Sequence, residues 1–383
     1  MKYVVNAARV LVGFLFVFSG LVKAIDPLGL AYKMQEFFEV WAAAGYMKNL
    51  MESLYDHALL FSVLMIALEV VLGIALLVGW STRFISWLLL LLTLFFTFLT
   101  AYVLFSGKIR ACGCFGDCIP LTPVQTFTKD IILLVLVLLI LLNRKYIIPL
   151  FSKGINLFLV LLSLAAVLGL QWYVLRYLPI VDCLPFKKGN NILELRKMPK
   201  GAIPDKYEYV FVYKKNGLSK EFTVSALPDS SWEFVERKQE LVQKGENNIP
   251  LINDFSLTTQ SGNDTTEALL STPDEYYLLF MKEYPGDEEW GVAITYMMRR
   301  NRNIPHYIVT AQPKEMDRLF NRGRDSVNVP ILSCDGTSIK TAARTNPALY
   351  LMKGPVVLNK WGWPDFKKNY AIGRFRSMGD VLN

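Results

Sequence analysis

The stretch Arg110-Ala-Cys-Gly-Cys-Phe-Gly-Asp-Cys118 places Cys112, Cys114 and Cys118 within seven residues of a chain that has five cysteines. Three sulfurs this close can exchange disulfides, hold a metal ion or staple a loop. Gly113 and Gly116 let the backbone turn tightly enough to bring them together. A bridge needs Cα atoms about 4.4–6.8 Å apart, which Cys114 and Cys118 meet within a turn. A Cys112–Cys114 bridge is strained, and strained bridges are reduced more easily. One cysteine is left over, to pair with Cys183 or to exchange with a partner's thiol. Asp117 disfavours a neighbouring thiolate, whereas Lys108 and Arg110 favour one. A metal centre is disfavoured, with three close ligands and no nearby histidine. The two histidines, His57 and His306, also argue against bis-histidine haem and zinc-hydrolase chemistry. A structural staple and a cycling dithiol both remain, and no metal ligands are assigned.

Which of these applies depends on where the loop sits. The chain is 53% hydrophobic, with a mean hydropathy of +0.31, and its long apolar runs fall within residues 1–178. A spanning helix needs about 20 predominantly apolar residues. Segments 4–25, 58–80, 84–105, 123–143 and 155–175 qualify. The first could be read as a cleaved leader, but Arg9 interrupts the run and Lys23 sits where a cleavage region is neutral. With the N-terminus in the cytoplasm, the inside pieces carry Lys2, Arg83, Arg144, Lys145 and Lys153 and no acid. The outside loops, 26–57 and 106–122, mix both signs. The positive-inside rule selects this orientation. It predicts a bacterial inner-membrane protein whose cysteine loop and C-terminal half face the oxidising periplasm. The net charge of +8 is scattered, and no nucleic-acid partner is expected.

Besides Lys23 near the end of the first, four charged residues fall inside the spans. Glu69 lies mid-membrane, where an ionised group costs about 2.5 kcal/mol or more and needs a partner. Arg9 is the expected partner, about 7–8 Å along the axis from the midplane of its own helix and within side-chain reach. The pair is read as a lock between the first two spans, with a proton or ligand site as the alternative. Lys129 and Asp130 open the fourth span. Neighbours in sequence do not face each other on a helix, so Lys129 is expected to snorkel to the outer surface. Asp130 is expected beneath the cysteine loop, holding loop N–H groups or accepting a proton.

After residue 178 the sequence reads as globular. Residues 179–248 form a small β-rich subdomain, with a hairpin signal at Asn216-Gly217 between two β-rich runs. Residues 249–383 alternate strand and helix signals. A short strand near "DFSL" leads to the buried strand "YYLLFM", the helix "GVAITYMMRRN", the strand "PHYIVTA" and the helix "PKEMDRLFNRG". A hairpin about Lys-Gly-Pro closes the series. Strands alternating with helices indicate an α/β layer.

Family resemblances join these parts. "RVLVGFLFVFSGLVKAIDPLGL" resembles the first helix of DoxX- and MauE-type membrane proteins, and Glu69 followed by "GWSTR" fits the DoxX pattern. "CGCFGD", with a charged pair opening the next helix, is similar to MauE, with Lys129 where such proteins usually carry arginine. The resemblance covers about residues 1–145. It implies a four-helix membrane core, here followed by a fifth span in 146–178, and an association with thiol or respiratory chemistry. "DFSL", "GNDTT" and "NPALYLMKGPVVLNKW" resemble a thioredoxin fold of the TlpA type over about 250–383. The whole looks like a Bacteroidota protein type that fuses the two. In that fold Pro347 stands where a cis-proline flanks the active site. The strand matching "YYLLFM" should lead into Cys-x-x-Cys, but the chain reads "KEYPGDEEWGVA". The resemblance therefore implies a thioredoxin-like domain inactive at that position, with Trp290 expected to fill its cleft.

The expected fold class is thus a membrane α-helical bundle, four-helix DoxX/MauE-like core plus a fifth span, followed by a soluble α/β thioredoxin-like domain. Two functions compete. In one, the cysteine loop passes disulfides between periplasmic thiols and a membrane quinone, the cofactor this chemistry would take, while residues 179–383 dock envelope proteins. In the other, the bundle is a non-catalytic anchor or assembly subunit and the cysteines only staple. Transport rests on Glu69 and Arg9 alone. Cys334, a single cysteine before "DGTSIK", reads as a buried core residue.

Overall fold

The computed structural model describes the chain except residues 110–112, 114–115, 216, 244, 246–247, 285–287, 323–325 and 366–383, and except the side chains of 240–241 and 288–290. Cys112, Cys114 and Trp290 therefore lie outside the described residues or side chains.

Seven helices come first: α1 (Lys2–Ala24), α2 (Pro27–Ala43), α3 (Lys48–Asp56), α4 (Ala58–Val78), α5 (Thr82–Ser106), α6 (Pro123–Leu142) and α7 (Lys153–Arg176). Among the described residues, α1, α4, α5, α6 and α7 are long and apolar enough to cross a membrane. Small residues set the closest approach. A Cβ on Gly73 of α4 would lie 2.9 Å from the Gly13 carbonyl of α1, so only glycine lets these backbones touch. The helices α2 and α3 fill the segment read from sequence as an outer loop. The start of α2 is built by the Asp26 side chain, which accepts from the Gly29 N–H with Pro27 in the first turn. A capping box at Thr122 and Gln125 starts α6.

The chain then forms a short helix α8 (Ile192–Leu195) and an antiparallel sheet of β1 (Lys206–Lys215), β2 (Leu218–Thr223) and β3 (Glu233–Gln243), ordered β2-β1-β3. In β1 and β2 only Val212 is buried. The next elements are β4 (Thr258–Thr259), α9 (Thr266–Leu270), β5 (Glu275–Met281), α10 (Glu288–Arg300), β6 (His306–Thr310), α11 (Pro313–Asn321), β7 (Ile331–Ser333), α12 (Gly336–Ala342), β8 (Ala348–Lys353) and β9 (Val356–Gly362). They build a six-stranded sheet ordered β4-β7-β6-β5-β8-β9. The β5–β6 and β6–β7 pairs are parallel. The β4–β7, β5–β8 and β8–β9 pairs are antiparallel. Residues of β5 alternate between two cores: Tyr276, Leu278 and Phe280 enter one, Tyr277, Leu279 and Met281 the other. A strand covered on both faces reads as a continuous apolar run, which is why "YYLLFM" carries no polar alternation.

Two expectations change here. The short strand anticipated near "DFSL" falls just after it, as the two residues of β4. The segment 179–248 does not stay together, because Phe186 and Ile192 pack into the core of the six-stranded sheet, and the Ile192 N–H bonds to the Pro355 carbonyl. Buried Cys334 joins the same core.

Cys118 is joined to Cys183, 65 positions on in sequence, with Cα atoms 4.8 Å apart. The bridge holds the cysteine loop to the segment after α7, so both lie at one end of the bundle. Of the pairings open from sequence, this is the one formed among the described residues. Peptide mapping of non-reduced protein should recover a cross-linked pair containing Cys118 and Cys183. Recovery of Cys118 joined to Cys112 or Cys114 would contradict the fold.

Candidate functional site

The soluble half sits on the membrane half through charged side chains. Arg344, in the loop after α12, is 4% exposed. Its Nε donates to Asp26 at 2.8 Å and its Nη2 to Asp117 at 3.1 Å. Asp26 caps α2, and Asp117 belongs to the cysteine loop beside Cys118. One guanidinium thus joins three parts of the chain that are remote in sequence. Burial works against its charge, but the two carboxylates outweigh burial and hold its pKa above the ordinary value. The Tyr32 ring of α2 meets three cations of the soluble half: Lys282, Lys340 and Arg344, each 5.4–5.6 Å from its centroid. Lys282, directly after β5, also donates to the Tyr32 hydroxyl at 2.9 Å. Burial, and then the nearby Arg344 charge, bring the Lys282 pKa down to about 8.

Beside this junction lies a cleft of about 640 Å³, a size typical of ligand sites. Its walls include Gly113, Gly116 and Asp117 of the cysteine loop, Cys183 of the bridge, Tyr32 and Glu36 of α2, and Lys340 of α12. Cys112 and Cys114 flank Gly113 in sequence.

Beneath the cleft, inside the bundle, a chamber of about 20 Å³ is lined by Ser19, Lys23, Glu69, Thr93, Lys129 and Asp130, among others. The two cavities touch the same helix one turn apart, Thr126 lining the cleft and Asp130 the chamber. This corrects the sequence reading at three places. Glu69 pairs with Lys23, not with Arg9, and the Lys23 ammonium also lies over the Phe96 ring. Arg9 instead donates to the carbonyls of Leu76, Leu77 and Ile148, at the opposite end of the bundle. The last carbonyls of a helix have no partners within it, and a cation there meets the negative end of the helix dipole. Lys129 is 21% exposed and forms a 2.7 Å ion pair with Asp130 rather than snorkelling away. Asp130 accepts from the Thr100 hydroxyl at 3.0 Å, a partner on α5 and not in the loop.

Lys23, Asp26, Tyr32, Lys282, Lys340 and Arg344 were not singled out by sequence. Asp26-Pro27 is a helix-start signal that could have located α2. The Asn346–Pro347 peptide is cis, and the Asn346 side chain accepts from the Lys282 N–H at 3.0 Å.

Two outcomes follow from the buried charges. Glu69→Gln strands the Lys23 charge and should cost about 3 kcal/mol or more, while Lys23→Met with Glu69→Gln recovers most of it. Thermal unfolding in detergent measures both, and equal losses in the single and double variants would refute the pairing. Lys282 binds its proton more weakly folded than unfolded. The unfolded chain therefore holds more protons between pH 8 and 10.5, and stability rises across that window. Lys282→Met should flatten the rise, and an unchanged pH profile would be the contrary result.

Comparison with known proteins gives a partial match to each half. Residues 1–143 match the family described as methylamine utilisation protein MauE. Residues 207–244, covering most of the three-stranded sheet, match a domain of unknown function, DUF8463. Protein TlpB of Flavobacterium psychrophilum is 33% identical over 135 residues, which is 34% of this chain and 34% of TlpB. The chain thus spans about a third of the length of that curated relative. No solved structure matches. The residues matched by the MauE family, 1–143, hold four of the five helices long and apolar enough to cross a membrane among the described residues.

Proposed function

We propose that the protein handles thiols and disulfides at the outer face of a bacterial inner membrane, with the cysteine loop and the soluble domain in the periplasm. The observation that carries this reading is the Cys118–Cys183 bridge in the wall of the cleft. It uses one of the three loop cysteines and leaves Cys112 and Cys114, neighbours in sequence of the cleft residue Gly113, as a Cys-x-Cys pair. A thiolate of that pair attacks a client disulfide, forms a mixed disulfide and releases one client thiolate. The second cysteine then attacks the mixed disulfide, leaving an oxidised pair and a reduced client. The same steps in reverse oxidise a client, and without net transfer they reshuffle it.

In this reading the domain assigned from sequence to residues 249–383 is a thioredoxin-like domain that has lost its redox centre. The strand order and the TlpB match support it. The segment after β5 contains no cysteine, and Cys334 is buried with its thiol pushed up to about 12 by burial. Such a domain binds rather than exchanges. A second reading, a non-catalytic anchor, is favoured by that loss and by the docking of Arg344 on the membrane half.

Alkylation trapping on intact spheroplasts, with a membrane-impermeant maleimide mass tag, separates the two. Cys112 and Cys114 should be found in both oxidised and reduced states and be labelled from outside, with Cys118 and Cys183 protected. Permanent oxidation of all four would sink the exchange reading and leave the anchor. Labelling only after lysis would sink the periplasmic placement.

A further inference from the structure

We infer that the cleft binds clients through an anionic group, and that Lys340 receives it. This rests on reading the cleft as the client site, and it adds what the client must carry.

The charges around the cleft can be balanced one against another. Lys33 pairs with Glu36 at 2.9 Å. Asp26 and Asp117 share Arg344, and Lys282 supplies the second positive charge beside them. Glu39 also lines the cleft, but it is exposed at the far end of the α2 face, seven residues and about 10 Å from Tyr32. Lys340 is left. Its ammonium lines the cleft, and its hydrogen-bond partners are neutral: the Gln35 amide oxygen at 3.3 Å and the Tyr55 hydroxyl at 3.4 Å. It lies over the Tyr32 and Tyr55 rings at 5.4 and 5.7 Å. An ammonium has three donors, and charge-assisted bonds to a carboxylate are shorter and stronger than these. The aromatic faces hold the cation in place without neutralising it.

The cleft wall also offers Ile119, Pro120, Leu121, Leu184 and Leu251, an apolar surface that suits a polypeptide better than a free inorganic anion. The occupant assigned is therefore an extended polypeptide segment with a carboxylate side chain close to its cysteine.

The test uses full-length protein in nanodiscs of neutral phosphatidylcholine and two fluorescent peptides, identical except for one glutamate or glutamine beside a serine in place of the cysteine. Anisotropy should show the glutamate peptide binding about tenfold more tightly, as expected for one charge-assisted hydrogen bond. Lys340→Gln should remove most of that preference, and Lys340→Arg should keep it. Thr337→Glu adds a carboxylate at an exposed position on the same wall, near a helix start that tolerates negative charge. It should weaken the glutamate peptide selectively without lowering the melting temperature. Equal binding of the two peptides, or a preference that survives Lys340→Gln and Thr337→Glu, would overturn the inference. So would loss of the preference when phosphatidylglycerol replaces the neutral lipid, because the lipid phosphate would then be the occupant. Serine in place of cysteine keeps this readout independent of thiol exchange. The preference can fail while Cys112 and Cys114 still cycle, and trapping can fail while the preference stands.

Discussion

The architecture depends on the Arg344 guanidinium between Asp26 and Asp117. A buried charge is tolerated only where partners replace the water it has lost. Here those partners come from the start of α2 and from the cysteine loop, so undocking the soluble domain would break both ion pairs of Arg344 at once. The bond network fixes three things together: the entry of α2, the path of the cysteine loop and the seat of the six-stranded sheet. The Cys118–Cys183 bridge reinforces the same corner covalently. The cleft lies between these two fastenings, which explains how it can stay open between halves that touch elsewhere.

The membrane half applies the same rule in a harsher solvent. Lys23 and Glu69 neutralise each other, as do Lys129 and Asp130, and the hydroxyl of Thr100 completes the second pair. Arg9 takes a different solution and serves the carbonyls that end α4. Each charge meets a specific need of a neighbouring element, which is what the cost of polar groups in lipid requires.

Much of this was legible in the chain. The five spans follow from their apolar runs, and the strand-helix order of the C-terminal half follows from periodicity and turns. That Glu69 needed a partner was also legible; which partner was not. Arg9 was close enough by helix arithmetic, but that arithmetic ignored the carbonyls at the end of α4. Lys23 was weighed only as a charge that argues against a cleaved leader. The helices α2 and α3 were hidden by mixed charge, which resembles a loop unless the Asp26-Pro27 cap is weighted. Arg344, Lys340 and Lys282 carry no local signal. Their roles arise from contacts with residues some 250 to 320 positions away, and single-sequence pattern reading does not reach that far.

The two ion pairs of the chamber sum to zero charge. A transmembrane voltage acts on net charge, at about 2.3 kcal/mol per elementary charge moved across 100 mV. In its resting state the chamber is therefore indifferent to membrane potential. Neutralising either carboxylate by substitution would leave a net positive centre partway through the field. An energised and a de-energised membrane would then no longer treat the protein alike.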